Sequence, residues 1–109
     1  MRETQPDAEQ ERIVIHIDPD LEAIVPGFLA NRQRDLTTIE SCLQQRDFST
    51  VRLLGHRMKG DGGGYGFDQI STIGHQLEEA ALAQDFERLR HHHQDLRDFL
   101  ARVAVVYKR

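Results

Sequence analysis

Hydrophobic residues recur every three or four positions along most of this chain. That spacing places them on one face of an α-helix, which buries the face against its neighbours. Four such stretches follow one another with only a few residues between them. Because short connections favour antiparallel neighbours, the pattern predicts an all-α protein, folded as an antiparallel up-down four-helix bundle. The four apolar faces contain Phe28, Leu29, Leu36, Ile39 and Leu43; Val51, Leu54, Met58, Gly62 and Tyr65; Phe67, Ile70, Ile73, Leu77, Ala80 and Ala81; and Phe86, Leu89, Leu96, Phe99, Leu100, Val103 and Val106.

Capping residues predict where the first helices begin. Asp18 followed by Pro19 is typical of a helix N-terminus, so we expect a short helix over residues 19–24. Pro26 and Gly27 then interrupt the chain, and the first long helix restarts at Pro26 and ends near Gln45.

The later helix ends follow from similar signals. Asp47 or Ser49 is expected to cap the second long helix. The third runs to about Gln84, and Asp85 begins the last one, whose apolar spacing continues to about Tyr107.

The N-terminal region has no helical spacing. Residues 1–11 are polar, which predicts a disordered leader. Ile13, Val14, Ile15 and Ile17 form a β-branched run, but without a second strand to pair with we expect an extended segment packed against helices. We therefore divide the chain into a flexible or extended leader, residues 1–18, and a helical-bundle domain, residues 19–109.

Composition narrows the class of protein. The chain has 109 residues, of which 39% are apolar and 29% charged, as expected for one ordinary globular domain. Cys42 is the single cysteine, so no intrachain disulfide can form, and we expect it to be a small buried apolar residue. The absence of an N-terminal signal and of a membrane span predicts a cytoplasmic protein. A net charge of −4 argues against nucleic acid as a partner.

The second long helix carries one histidine, His56, away from its apolar stripe. Its neighbours one turn away are Arg52, Leu53, Lys59 and Gly60. The spacing therefore predicts an outward-facing histidine beside a cation.

A glycine-rich run follows this histidine. Each glycine in a helix interior costs about 1 kcal/mol relative to alanine. Either the helix ends near Asp61 and a loop follows, or the missing side chains let another macromolecule approach His56 closely. Gly60, Gly63 and Gly64 fall on the face of the histidine, whereas Gly62 falls on the core side.

Other candidate sites are weaker. His91, His92 and His93 point about 100° apart on a helix, so they cannot converge on one metal ion and are interpreted as a solvated face. The glycines follow a helix rather than a strand, unlike phosphate-binding loops of nucleotide sites. We predict no metal site and no cofactor.

A longer pattern surrounds His56. It consists of a histidine, a lysine three positions on, glycines four and ten positions on, and a following helix that ends in a leucine, a glutamate and alanines. Over roughly residues 19–107 the chain resembles the histidine-containing phosphotransfer (HPt) domain of multistep two-component phosphorelays. The residues that carry the resemblance are His56-Arg57-Met58-Lys59-Gly60, Gly66, Ile70, Ile73, Leu77-Glu78 and Ala80-Ala81.

The resemblance implies a function for His56. It would accept a phosphoryl group from a receiver-domain aspartate and pass the group to another response regulator. Lys59 would be the cation near the phosphoryl group. A docking surface for the partner would contain Arg52, Leu53, Gly60, Gly63 and Gly64.

Glu78 departs from the usual pattern of these domains. Family members commonly have a polar residue at this place, often glutamine, that hydrogen-bonds near the histidine ring. A carboxylate would favour the imidazolium and repel a phosphoryl oxygen.

The expected partners are receiver domains of response regulators or of hybrid sensor kinases. The chain offers no magnesium site, so the receiver is expected to bring the Mg²⁺ ion and the acidic pocket. The chain would then be a monomeric phosphocarrier rather than an enzyme. The alternative is a helical interaction module that docks a receiver or kinase without carrying phosphate.

Overall fold

The computed structural model describes residues 11–108 and contains four long helices. They are α1 (Val25–Gln44), α2 (Phe48–Gly64), α3 (Asp68–Leu82) and α4 (Phe86–Arg102). The predicted helical bundle is confirmed. The described residues contain no helix long and apolar enough to span a membrane. Most of the predicted disordered leader, residues 1–10, lies outside the described residues.

The predicted apolar stripes meet in one hydrophobic core. Near the chain reversal between α2 and α3, Phe28 stacks on Tyr65 at 4.2 Å and on Phe67 at 5.5 Å between ring centroids. The ring of Phe99 meets Phe67 edge-on at 6.4 Å. These aromatic rings join all four helices or their ends, and buried aromatic pairs add to the stability that apolar burial provides. Other core residues include Ile39, Val51, Met58, Ile70, Leu77, Leu89, Leu96 and Cys42, which is buried as predicted.

Aspartates cap the helices at the predicted places. The Asp47 carboxylate accepts hydrogen bonds from the backbone N–H and the hydroxyl of Thr50, at 3.1 and 2.7 Å. These two bonds lower the pKa of Asp47, the side-chain bond being the stronger cause. Asp85 caps α4 through the N–H of Arg88. Asp18 caps a three-residue 3₁₀ turn, Pro19–Leu21, where the sequence predicted a short helix.

The end of the last helix was predicted wrongly. The helix α4 stops at Arg102, and residues Val103–Tyr107 form the strand β2. This strand pairs in parallel with β1, Ile13–Ile17, so the β-branched N-terminal run has the partner that the sequence analysis did not recognise. The run Val103-Ala104-Val105-Val106-Tyr107 is rich in β-branched residues, which favour strands. Helical spacing and strand alternation cannot be distinguished over so short a run.

Gly66 ends α2. Its φ of +92° is left-handed, a conformation that glycine adopts without strain. The N–H of Phe67 donates to Gly62 O at 2.7 Å, and that of Gly66 donates to Gly63 O at 3.0 Å. This pair of bonds is the Schellman motif, which satisfies the last carbonyls of a helix.

Two non-glycine residues hold the same left-handed position after α1 and α3. They are Arg46, with φ of +58°, and Gln84, with φ of +55°. Replacing Gln84 by glycine is expected to raise the free energy of unfolding by about 1 kcal/mol, since the left-handed strain disappears. Urea unfolding followed by circular dichroism measures the change. Arg46→Gly is expected to gain less, because the guanidinium lies 3.6 Å from the centroid of the Phe86 ring and that contact would be lost.

The three consecutive histidines of α4 do not form a uniformly solvated face. His93 is buried, and its Nε2 lies 2.9 Å from the carbonyl oxygen of Leu36 in α1. His92 is largely covered and contacts Asp95, while His91 is exposed. The solvated-face interpretation was therefore wrong for His93, because the apolar face of α4 extends to include it.

Candidate functional site

The helices α2 and α3 cross at a pair of glycines. A Cβ atom built on Gly74 would lie 2.6 Å from the backbone nitrogen of Lys59 and 2.7 Å from the carbonyl oxygen of Gly55. A Cβ atom on Gly55 would lie 2.8 Å from the backbone nitrogen of Glu78. Such distances leave no room for a side chain, so the two backbones are in direct contact. This crossing brings α3 close to the part of α2 that carries the predicted histidine.

His56 faces solvent and contacts Glu78 across this crossing. Its Nδ1 lies 3.0 Å from Oε2 of Glu78, while 63% of the histidine side chain is exposed. An ionised carboxylate only accepts hydrogen bonds, so Nδ1 carries the ring proton and donates it. In the neutral ring Nε2 then carries the lone pair, and the ring is largely exposed.

The second oxygen of Glu78 contacts Lys59. Oε1 lies 2.8 Å from Nζ of Lys59, and the two groups form an ion pair. Lys59 and, secondarily, His56 hold the pKa of Glu78 below its ordinary value. The Glu78 side chain is 12% exposed and the Lys59 side chain 40%, so the lysine has more open space around it than the carboxylate.

The hydroxyl of Ser71 ties the glycine-rich end of α2 to α3. It accepts from the N–H of Gly63 at 2.8 Å and donates to the carbonyl oxygen of Lys59 at 3.0 Å. In a regular α-helix the N–H of Gly63 would bond directly to the carbonyl oxygen of Lys59, four residues earlier. Here the Ser71 hydroxyl bonds to both groups. Gly62 allows the approach, since a Cβ there would lie 2.7 Å from the Ser71 oxygen. Gly62, which the helical spacing placed on the core side, therefore serves the close packing of α2 against α3.

The helix α2 continues through the glycines to Gly64, so the alternative in which it ends near Asp61 is wrong. A Cβ atom on Gly60 or Gly64 would meet nothing within 4 Å. One on Gly63 would be in ordinary contact with Ser71 and Asp68. Internal packing therefore does not require glycine at Gly60 or Gly64.

The other two predicted docking residues lie one turn before the histidine. Leu53 is 47% exposed. Arg52 is half-buried and lines a cavity of about 150 Å³ with Phe48 and Leu82, and Leu82 is also strongly exposed. An apolar surface thus adjoins the histidine on the side of Leu53.

Three residues that build this site could not be recognised from the sequence. Gly55 and Gly74 were not recognised because a single glycine in a helical pattern does not reveal what it faces. Their spacing was nevertheless a signal, because Gly55 precedes His56 and Gly74 lies one turn before Glu78. Ser71 was given no role, because a serine in a helical pattern does not reveal its partner. Within residues 11–108, no group of three or more histidine, cysteine, aspartate or glutamate side chains could hold a metal ion.

Comparison with known families identifies the chain. The sequence profile described as the Hpt domain matches residues 24–105, which include the whole of the four helices. The chain belongs to the Hpt domain family. Members of this family carry phosphoryl groups on a histidine in phosphorelays and are phosphocarriers rather than classical enzymes. Neither a comparison with curated proteins nor one with solved structures found a match.

Proposed function

We propose that this chain accepts a phosphoryl group on His56 from the aspartate of a receiver domain and relays it to a second response regulator. The observation that carries the proposal is the arrangement of the ring. Glu78 occupies Nδ1 at 3.0 Å, while the exposed ring presents Nε2 to solvent. The nucleophilic atom is therefore Nε2.

The transfer needs no proton acceptor. The lone pair of Nε2 attacks phosphorus as the bond from phosphorus to the aspartyl oxygen breaks, and its electron pair stays on the aspartate. The ring keeps its Nδ1 proton and becomes a phosphorylated imidazolium. Transfer to the second receiver reverses these bond changes. Positioning and charge stabilisation dominate such phosphoryl transfers.

Glu78 stabilises the positive charge that develops on the ring. It contacts Nδ1, on the side of the ring away from the phosphoryl group, so its repulsion of phosphoryl oxygens is small. Lys59 neutralises the other carboxylate oxygen in the unphosphorylated protein. We propose that the partly exposed lysine turns to the phosphoryl oxygens after transfer, since its three N–H donors suit an anionic oxygen.

The docking surface surrounds this histidine. Leu53 and Arg52 supply the apolar and cationic contacts, and Gly60, Gly63 and Gly64 supply clearance for the receiver backbone. The partner contributes the Mg²⁺ ion and the acidic pocket around its aspartate. One chain supplies every residue of the site, so we propose that a single chain is the transferring unit. We also propose that it acts in the cytoplasm.

The experiment mixes the protein with a receiver domain that carries labelled phosphate. The protein is expected to take up label that is lost in acid and retained in base, as for a phosphorus–nitrogen bond to histidine. A second, unlabelled receiver should then remove the label. Tight binding to receivers without any uptake of label would instead support an interaction module.

Replacing Glu78 by glutamine tests the role of the carboxylate. The amide keeps an acceptor for Nδ1 but removes the negative charge, so transfer to His56 is expected to slow by roughly tenfold, which is the effect of about one pKa unit of interaction. Nitrogen NMR of the ring should still detect the proton mainly on Nδ1. In Glu78→Ala the tautomer preference should disappear as well. An unchanged transfer rate in both variants would contradict this role.

The same carboxylate makes stability depend on pH. The pKa of Glu78 is lowered in the fold by Lys59 and then by His56, so its ionised form favours the folded state. That contribution is present above the ordinary pKa of a glutamate and is lost as pH falls through the lowered pKa. Unfolding midpoints of wild type and Glu78→Gln are therefore expected to differ at neutral pH and to converge in acid. A difference between the two midpoints that stays the same from neutral to acidic pH would contradict the ion pair.

Replacing Gly60 by tryptophan tests whether a docking receiver needs the open space beside Gly60. The space beside Gly60 is open, so the folded protein accommodates the side chain, but a docking receiver would meet it. Transfer is expected to fall roughly a hundredfold, since small displacements of reacting groups have effects of that size. Gly27→Trp is the matched control, because Gly27 is equally open but lies on α1. Equal losses in both variants would argue against a docking role for Gly60.

A further inference from the structure

The outer edge of β1 has no paired strand among residues 11–108, where the sheet has only two strands. The carbonyl oxygen of Ile17 accepts from the N–H of Lys108 at 3.2 Å. In a parallel pair, the peptide groups of alternate residues point to the same neighbour. The peptide groups of Val14 and His16 therefore point away from β2, to the open edge.

The outer face of the same sheet carries exposed apolar side chains beside one histidine. Val14 is 51% and Val106 44% exposed, Ala104 is the register partner of Val14, and the exposed His16 is the partner of Val106. Parallel sheets are normally covered on both faces. An open edge beside an exposed apolar face is a site for pairing with another strand.

We propose that this edge pairs with the β1 strand of a second copy of the chain, antiparallel and centred on Ile15. Val14 then lies opposite the partner's His16, and His16 opposite the partner's Val14. Each of these pairs brings together the peptide groups that point to the open edge, so each pair exchanges two N–H···O hydrogen bonds. The unpaired N–H and C=O groups on this edge of one chain therefore match the unpaired C=O and N–H groups on the same edge of a second copy.

Charge selects this edge and this register. Arg12 and Asp18, both exposed, flank β1, and the register places Arg12 opposite the partner's Asp18 at each end. A pairing of two β2 strands about Val105 would offer Lys108 no opposite charge, because the position facing it is Arg102, a cation at the end of α4 that is already paired with Asp98. Opposite charges across strands stabilise a pair and like charges destabilise it.

The proposed interface is separate from the family's shared part. The strand β1 lies entirely outside residues 24–105, which the Hpt profile matches. Each His56 site also stays within one chain, so pairing of the strands leaves the proposed transferring unit complete.

A charge exchange tests the register. Sedimentation velocity over a range of concentrations is expected to detect a monomer–dimer equilibrium in the wild type. Arg12→Asp and Asp18→Arg should each weaken self-association about tenfold or more, since two attractive contacts become repulsive. A mixture of the two variants should dimerise again, because every changed site then faces the opposite charge. A wild type that stays monomeric, or a mixture that associates no better than its components, would overturn the proposal.

Proline substitution tests the edge itself. Val14→Pro removes an N–H that points to the open edge and leaves the bonds between β1 and β2 in place, so the dimer should dissociate while the helical circular dichroism is kept. Val105→Pro is the matched control, because the N–H of Val105 points to the open edge of β2. A dimer that survives Val14→Pro would overturn the proposal. So would a dimer that dissociates only in Val105→Pro.

Discussion

Replacing His56 by glutamine is expected to abolish the uptake of phosphate from a phosphorylated receiver. Glutamine has an amide in place of the ring, and amide nitrogen has no lone pair available for attack on phosphorus. The side chain is largely exposed and its polar partner within residues 11–108 is Glu78, so the fold should persist. The measurement is label transfer followed by electrophoresis, with circular dichroism to check the helices.

The control for this experiment is His75→Gln. His75 is an exposed histidine on α3, the helix that also carries Glu78, and it has no role in the proposed site. Full labelling of His75→Gln together with none of His56→Gln would support the assignment. Label on the His56→Gln protein would place the phosphoryl group on another residue.

Replacing Gly74 by alanine is expected to lower the free energy of unfolding by about 2 kcal/mol, the typical cost of overpacking. Helix propensity alone predicts the opposite, a gain of about 1 kcal/mol. The steric clash outweighs the gain in helix propensity, because a Cβ atom on Gly74 would lie 2.6 Å from the Lys59 nitrogen and 2.7 Å from the Gly55 oxygen. Backbone atoms of a helix cannot move aside singly, so the two helices must separate.

Gly60→Ala is the matched control for stability. The same added methyl group meets nothing within 4 Å there, so the propensity gain of about 1 kcal/mol should appear in full. Chemical denaturation measures whether the free energy of unfolding falls in Gly74→Ala and rises in Gly60→Ala. A Gly74→Ala protein as stable as Gly60→Ala would contradict the backbone contact. Separation of the helices should also move Glu78 from His56, so Gly74→Ala is expected to slow transfer as well.

The helices could be predicted from the sequence because their signals are local. The stripe with Val51 and Met58 follows from helical spacing, and Asp47 and Asp85 cap helices through bonds within one turn. The restart of the first long helix at Pro26 was also within one residue of its observed start. Each of these features depends on neighbours in the chain.

The parts that could not be predicted depend on residues far apart in the chain. The pairing of Ile13–Ile17 with Val103–Tyr107 joins the two ends of the domain, and neither run alone reveals the other. The burial of His93 likewise depends on Leu36 in a different helix. Periodicity within one segment carries no information about such partners.

The candidate site depends partly on local signals and partly on contacts between residues far apart in the chain. The face of His56 and the openness around Gly60 follow from spacing along one helix, and the structure places both as expected. The contact of Glu78 with His56 and Lys59 depends on how closely α2 and α3 approach. That approach is set by Gly55 and Gly74, whose function is visible only when the helices are side by side.

The most direct test of the proposed phosphotransfer is phosphorus and nitrogen NMR of the protein after phosphorylation by a receiver. We expect one phosphoryl group, bonded to Nε2 of His56, with the proton retained on Nδ1 beside Glu78. A phosphoryl group on Nδ1, or on any residue other than His56, would contradict it.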